Sequence, residues 1–374
     1  MKLLCLLFFL IIVADPCSSQ NTFFEPGAIW KDTEGKHINA HGGGIYSEGD
    51  TYYWYGEHKG QSSIAQVGVR VYSSSDLYNW KNEGIALAVS NDLDSEITKG
   101  SVIERPKVIY NNKTGKYVMW FHLELKNQGY AAARTGVAIS DSPTGPFKYL
   151  KSYRPNANVW PLNFPLSNQK RTKKNELYEW WTPEWKAALI EGLYVRRDFR
   201  EGQMSRDMTV FVDDDGKAYH IHSSEENQTL HISELTGDYL DFTSRWTRMK
   251  PGGQNEAPAV FKHNDTYYMI TSGLTGWAPN AARSFSAKSI WGPWKSLGNP
   301  ATGKLAQVTF NSQSTYVLTV NGVEDTFLYM GDRWNPKNHI DGRYIWLPIK
   351  IKNKKPEIEW LDKWDLSKYN SIQP

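Results

Sequence analysis

Apolar positions along this chain come in short runs, each broken by a turn rich in Asp, Asn or Gly. That spacing predicts β-hairpins rather than amphipathic helices. The stretch Gly44-Ile45-Tyr46-Ser47-Glu48-Gly49-Asp50-Thr51-Tyr52-Tyr53-Trp54-Tyr55 reads as strand, tight turn, strand. The pattern returns from Val108-Ile109-Tyr110 to Tyr117-Val118-Met119-Trp120, from Val210-Phe211-Val212 to Ala218-Tyr219, and from Val260-Phe261 to Tyr267-Tyr268. A weaker fifth copy runs from Tyr316-Val317-Leu318 through Asn321-Gly322 to Phe327-Leu328-Tyr329. Asp and Asn tolerate left-handed backbone angles and Gly has no Cβ to clash, so these turns suit hairpins.

Behind each of the first four hairpins comes another segment of strand length: Gly68-Val69-Arg70-Val71-Tyr72-Ser73, Gly136-Val137-Ala138-Ile139-Ser140, Leu230-His231-Ile232-Ser233 and Ala282-Arg283-Ser284-Phe285-Ser286. A unit of three or four strands cannot bury its apolar faces by itself. Five such units set radially cover one another's faces and hide their edges. The fold class is therefore all-β and the architecture a five-bladed β-propeller, with an irregular β-sandwich as the alternative. A single domain is expected over 21–374, and Gly342-Arg343-Tyr344-Ile345-Trp346-Leu347 reads as the closing strand of the last blade. Between the second and third hairpins lies an excess of chain at about 151–204, rich in Trp, Pro and Lys and including Trp160, Trp180, Trp181 and Trp185. A connection this long in a compact domain is a functional lid or a small inserted unit. A short helix is expected between Glu176 and Gly192, and simple cover for one rim of the propeller is an equally open role.

Composition narrows the function. Aromatic residues make up 14% of the 374 positions, which excludes a disordered chain. A net charge of +3, from 43 basic against 40 acidic side chains, is too balanced for a nucleic-acid binder. Lys2, the apolar stretch Leu3 to Val13 and then Ser18-Ser19-Gln20 have the layout of a cleaved signal peptide over 1–20, so the protein is expected to be secreted or periplasmic. Both cysteines, Cys5 and Cys17, fall in that segment, which leaves a mature chain without disulfides or thiol chemistry. No later apolar run is long enough to span a membrane. Asn112, Asn227 and Asn264 begin Asn-x-Thr glycosylation acceptors, relevant only in a eukaryotic host. A monomer is the simplest expectation.

Four residues before an apolar position of each inner strand stands a polar side chain: His41, Glu104, Asp207, Glu256 and Gln313. Equivalent positions on radial blades point into one central funnel, so these five should converge. Crowding three carboxylates with an amide and an imidazole is costly unless a ligand or a proton organises them. Carboxylates gathered in an aromatic-lined pocket are suited to glycosidic bond cleavage, in which one carboxyl must stay protonated to donate to the leaving oxygen. Trp54, Tyr130, Trp277 and Trp334 sit near these strands as candidate stacking platforms for sugar rings, with core packing as the alternative for each.

Ser205-Arg206-Asp207 before the Val210-Phe211-Val212 strand, together with Glu256-Ala257-Pro258, resembles family 43 of the glycoside hydrolases over essentially the whole mature chain. The resemblance implies a five-bladed propeller that inverts at the anomeric carbon, with Glu256 as general acid and Asp207 orienting that acid and keeping its pKa up. Most of that family carries its general base as an Asp at the entry of the first blade. Here the position falls in Asn39-Ala40-His41-Gly42-Gly43-Gly44, with no carboxylate. That departure, with Gly56-Glu57-His58, Glu104-Arg105-Pro106-Lys107 and Leu274-Thr275-Gly276-Trp277, resembles the exo-β-1,3-galactanases, which remove galactose from the β-1,3-linked backbone of type II arabinogalactan. The resemblance implies an amide, matching Gln313, at the base position holding the attacking water, and a Glu, matching Glu104, that binds the terminal sugar and is the second candidate base. An amide oxygen is a poor base and would serve by positioning water or through its imidic acid tautomer; Glu104 is the chemically simpler candidate. By matching position, Glu57, Tyr130, Asn227, Thr275 and Trp277 line the terminal-sugar pocket. Glu225 and Glu226, beside Asn227, read as a solvated turn.

Polar residues at all five blade mouths suggest a closed pocket and hence exo action on a polysaccharide or oligosaccharide chain end. Two other readings stay open: an α-L-arabinofuranosidase or β-xylosidase of the same fold, against which His41 at the base position counts, and a non-hydrolytic sugar-binding propeller. A metal-dependent phosphatase or nuclease would need His41, Asp207 and Glu256 to hold a cation, and no metal-ligand spacing supports it. The expected chemistry requires no cofactor, and the resemblance leaves room for a structural Ca²⁺ at the centre.

Overall fold

The computed structural model describes residues 21–170, 178–323 and 325–369; the 1–20 segment with both cysteines lies outside them. Five sheets follow one another along the chain. Blade I is β1 (His41–Glu48), β2 (Thr51–Glu57), β3 (Gly68–Ser74) and β4 (Lys81–Ala88). Blade II is β5 (Val102–Asn111), β6 (Lys116–Glu124), β7 (Arg134–Ser140) and β8 (Lys148–Tyr153). Blade III is β9 (Met208–Val212), β10 (Ala218–Ser224), β11 (Thr229–Leu235) and β12 (Phe242–Met249). Blade IV is β13 (Glu256–His263), β14 (Thr266–Ser272), β15 (Arg283–Ala287) and β16 (Lys295–Gly298). Blade V holds β17 (Ala301–Thr302), β18 (Gln313–Thr319), β19 (Phe327–Arg333), β20 (Arg343–Lys352) and β21 (Lys355–Glu359). The first strand of blades I to IV and β18 of blade V form the inner ring: β1 packs beside β5, β5 beside β9, β9 beside β13, β13 beside β18, and β18 beside β1. This is a closed five-bladed β-propeller.

The five repeats found in the sequence are the inner hairpins, and their turn residues explain why. Gly49 turns β1 into β2 at φ +55°, and the consecutive left-handed Asn264 (φ +47°) and Asp265 (φ +54°) make the two-residue turn from β13 to β14. Blade V departs from expectation. The strand containing Gly342–Leu347 is not the last one, because β21 pairs outside β20 and the short β17 then pairs parallel to β21. Every strand of this blade comes from the C-terminal part of the chain, so the ring closes by packing rather than by a shared sheet. Trp54 of β2 meets Trp346 and Tyr344 of β20 at centroid distances of 4.8 and 4.6 Å, with Trp30 and Trp80 against the same cluster. Phe24 bridges to Trp364 and stacks on its ring, binding the two ends of the described chain together. Trp54, only 1% exposed, therefore belongs to this core and is no sugar platform.

The 151–204 insertion contains α1 (Leu166–Gln169), α2 (Pro183–Ile190) and α3 (Leu193–Arg197). The expected helix is α2, started by Pro183 and by the Thr182 hydroxyl, which accepts from Trp185 N. In an antiparallel blade the fourth strand ends at the edge where the first begins, so the β8-to-β9 connection lies at the ring's entrance. The insertion is pinned there by Arg248, which donates to Leu189 O and Ile190 O (both 2.8 Å) and to both Glu225 oxygens (2.7 and 2.6 Å). Glu225 is thus no solvated turn residue. It is fully buried, held by Arg248 and His231, because the insertion covers it. Removing one partner of a buried pair strands the other charge. Arg248→Met is therefore expected to cost about 3–5 kcal/mol of stability, read from denaturant unfolding; a midpoint equal to wild type would show that the pair contributes nothing.

Candidate active site

At the end of the ring where the inner strands begin, side chains from all five blades line a cavity of about 320 Å³. It receives Glu57 and Lys59 from blade I, Glu104, Arg105, His122 and Tyr130 from blade II, and Arg206, Asp207 and Asn227 from blade III. Glu256 and Trp277 enter from blade IV, and Gln313 and Trp334 from blade V.

A shared backbone device aims several of these groups. The pairing register slips at the entry of β1 between His41 and Gly44, of β5 between Glu104 and Lys107, and of β13 between Glu256 and Ala259. In each case the second residue is left-handed: Gly42 at φ +61°, Arg105 at +56° and Ala257 at +51°. A β-bulge of this kind bends the strand and re-aims its side chains. In blade II it lets two successive residues, Glu104 and Arg105, both reach the cavity, which simple strand alternation forbids. At Gly42 any Cβ would lie 2.2 Å from Glu57 Oε1, so only glycine lets that carboxylate approach.

The charges are organised in pairs. Arg105 grips Asp207 with two bonds, Nε to Oδ1 at 3.2 Å and Nη2 to Oδ2 at 3.0 Å. Lys59 pairs with Glu57 and stands 3.8 Å from Glu104. His122 bridges Glu104 (3.2 Å) and Glu124 (2.9 Å). Burial opposes a charge on His122, but its bonds to Glu104 and Glu124 raise it to about 9, so it is an imidazolium at neutral pH. Burial likewise pushes Glu104 up, but the bond from His122, the Lys59 charge and the Tyr130 hydroxyl (2.9 Å) outweigh it and hold Glu104 down at about 2. Among the described residues no cation comes within ion-pair distance of Glu256. Its Oε1 accepts instead from the Asn227 amide at 2.9 Å. Burial first, then the Asp207 charge, push Glu256 up to about 8 against the opposing pull of Arg105 and Arg206.

Gln313 is held from both ends. Its Oε1 accepts from Arg105 Nη2 (2.5 Å) and Trp334 Nε1 (3.1 Å), and its Nε2 donates to Ser272 Oγ (2.9 Å). Arg and Trp are obligate donors, so the orientation of the amide follows from its partners. Its oxygen is committed, and what remains for the cavity is one N–H.

The cavity brings together Glu57, Glu104, Tyr130, Asp207, Asn227, Glu256, Trp277 and Gln313. It does not include His41 or Thr275. His41 is fully buried behind the wall, its ring 5.9 Å from Trp334 and 5.7 Å from Tyr344, neither nitrogen hydrogen-bonded, and burial pushes its pKa well down. It backs the Trp334 ring as a neutral group, because that ring, and not the imidazole, forms the cavity wall here. Thr275 is exposed; its hydroxyl donates to Ala278 O and accepts from Asn280 Nδ2, shaping the loop that presents Trp277. Sequence reasoning missed Lys59, Arg105, His122 and Arg206 as lining groups. Arg105 stood in a quoted motif, but nothing in a sequence announces the bulge that aims it.

Metal sites fit poorly. A cation held by His41, Asp207 and Glu256 is excluded by the position of His41. Calcium takes six to eight oxygen ligands. Behind the cavity the hub oxygens are already engaged: Gly42 O accepts from the buried Lys107 ammonium at 2.8 Å, and Asp332 accepts from Gly42 N. The one His–carboxylate cluster compact enough for a metal among the described residues, Glu104, His122 and Asp207, has its atoms within 4.8 Å of one another but is occupied by the His122 and Arg105 cations. A structural Ca²⁺ does not suit this donor set at either place.

A carboxyl kept protonated and another kept ionised in one sugar-sized cavity, with tryptophans at its mouth, define the active site of a glycoside hydrolase. Comparison agrees. Residues 165–349 match the family model for glycosyl hydrolases family 43. The chain is 54% identical to a family 43 β-1,3-galactosidase solved with galactodeoxynojirimycin, covering 91% of this chain and 100% of that one at a TM-score of 0.90. It is 34% identical to the exo-β-1,3-galactanase of Phanerochaete chrysosporium solved with β-1,3-galactotriose (92% of this chain, 68% of that one, TM-score 0.73). It is 35% identical to the exo-β-1,3-galactanase of Clostridium thermocellum (93% and 68%, TM-score 0.75). No curated protein matches it. The chain belongs to glycoside hydrolase family 43.

Proposed function

We propose that this enzyme is an exported, exo-acting β-1,3-galactosidase that removes galactose from the ends of β-1,3-galactan, the backbone of type II arabinogalactan, with inversion. The observation that carries this reading is the contrast between carboxyls in one cavity: Glu57, Glu104 and Asp207 each face a cation, while Glu256 meets an amide. Glu256 is the acid. Burial and Asp207 keep its proton on at neutral pH, ready for the glycosidic oxygen. Two relatives solved with a galactose-like inhibitor and a galactotriose point to the sugar. The small cavity favours a chain end over a threaded polymer, and aligned family members act as exo-enzymes.

The hydrogen bonds around Gln313 favour Glu104 as the base. An Oε1 that accepts from two obligate donors has no room for an added proton, and the imidic acid form would aim an O–H at Arg105 and Trp334. In this reading Gln313 orients water through its free N–H, and Glu104, kept as a carboxylate by His122 and Lys59, accepts the water's proton. Water's oxygen bonds to the anomeric carbon as the bond to the leaving oxygen breaks; one proton leaves Glu256 and one arrives at Glu104. The residues themselves supply all of this without a cofactor, and one chain supplies all of the residues, so a monomer suffices. Export rests on the 1–20 segment.

The test is NMR of the first sugar released from β-1,3-galactan. α-Galactose is expected as the initial product. Initial β-galactose would overturn inversion, and oligomers ahead of galactose would overturn the exo mode.

A further inference from the structure

The insertion carries an aromatic surface with no role in the cavity. Trp180 and Trp181 are 46% and 61% exposed, and both lean on the buried Trp185. Trp180 stacks on Trp185 (5.4 Å, 22°), while Trp181 meets it at 5.2 Å and 54° and stands at 61° to Trp180. Trp185 is fixed by its Nε1–H, which donates to Tyr194 OH at 3.1 Å. The two outer indoles thus form a rigid corner on a braced base.

Trp181 is also held at φ +72°, a conformation that bulky residues rarely adopt. Thr182 keeps it there, donating to Glu179 O and accepting from Trp185 N. A large indole turned outward against its backbone preference suggests a surface kept for a ligand. The charged residues around it, Glu179, Glu184 and Lys186, are all exposed.

The corner is tied to the active site through a short path. Pocket-lining Asn227 adjoins Glu226, which pairs with Arg197 of α3 at 2.8 Å, and the Arg197 guanidinium lies 4.4 Å over the Tyr194 ring. Tyr194 in turn touches Trp180 and Trp185. The connection that carries the indoles leaves β8 and enters β9 at the entrance end of the ring, where Asp207 begins the cavity wall.

We propose that Trp180 and Trp181 form a second carbohydrate site, a stacking platform that holds the galactan chain outside the cavity while its terminal residue sits inside. This rests on the galactanase reading above. Galactose presents an apolar patch of C–H bonds on one face and hydroxyls at its edge. The indoles can cover the first, and the surrounding carboxylates can accept from the second. A protein partner fits less well: two half-exposed indoles offer on the order of 250 Å² of apolar area, against roughly 800 Å² per side in a stable interface.

The experiment compares the Trp180→Ala/Trp181→Ala double variant with wild type on β-1,3-galactan and on β-1,3-galactobiose, which leaves only one sugar residue outside the cavity. The KM for galactan is expected to rise about tenfold with kcat held, while the galactobiose KM moves less than twofold. In gels containing galactan, the Glu256→Gln protein is expected to be retarded, and the same protein with both indoles removed to run freely. Equal retardation, or equal losses on both substrates, would overturn the platform. Absence of galactose release by wild type would instead overturn the galactanase reading on which it stands.

Discussion

Replacing Glu256 by Gln is expected to lower kcat on β-1,3-galactan by about 10³-fold, the middle of the range for loss of a general acid. The amide keeps the shape and the Asn227 contact but has no proton to give. The loss should shrink sharply for an aryl β-galactoside whose phenol leaves without protonation. Wild-type rate should follow the protonated form of Glu256, holding steady below about pH 8 and falling tenfold per unit above it. That alkaline limb should disappear in the Glu256→Gln enzyme on the activated substrate. A variant that hydrolyses galactan at a tenth of the wild-type rate or better would remove Glu256 from the acid role.

Glu104→Ala is expected to cost a similar factor, about 10³ in kcat, because the proton of the attacking water then has no acceptor. A small anion such as azide needs no base. Azide should therefore restore turnover of the activated galactoside by Glu104→Ala and yield the α-galactosyl azide. Gln313→Ala should lose less, about tenfold, and azide should not rescue it, since Glu104 would remain to accept the proton from a poorly aligned water. Rescue of Gln313→Ala in place of Glu104→Ala would reverse the two roles. A Glu104 that only binds sugar would show a raised KM with no azide effect.

The contrast between these carboxyls could be read only in part from the chain. Glu104, Asp207, Glu256 and Gln313 were legible because each stands four residues before an apolar position of its inner strand, and radial repetition turns equal intervals into one location. The same count failed for His41. The Trp334 ring, brought in from blade V, stands 5.9 Å from it and takes the place at the cavity wall, a packing between blades that neither stretch of sequence contains. Glu225 failed for another reason. A polar triplet looks like a solvated turn until a remote segment covers it, and Arg248 and the insertion do so from afar.

Local composition decided what local forces control. Alternating apolar runs with Asp, Asn and Gly turns dictate hairpins, and five copies of a unit too small to bury itself dictate a ring. The placement of Glu256, Asp207, Glu104 and Gln313 follows from that periodicity. What the residues do once gathered was settled in three dimensions. Burial and the Asp207 charge push Glu256 up to about 8, while the His122 bond and the Lys59 charge overcome burial and hold Glu104 down at about 2, although both are ordinary glutamates at equivalent positions. Arg105, unremarkable as the neighbour of Glu104, became the cation that fixes Asp207 and the amide of Gln313 because a bulge swung it inward. Those effects depend on distance and burial among groups far apart in sequence, quantities that no single stretch of chain contains.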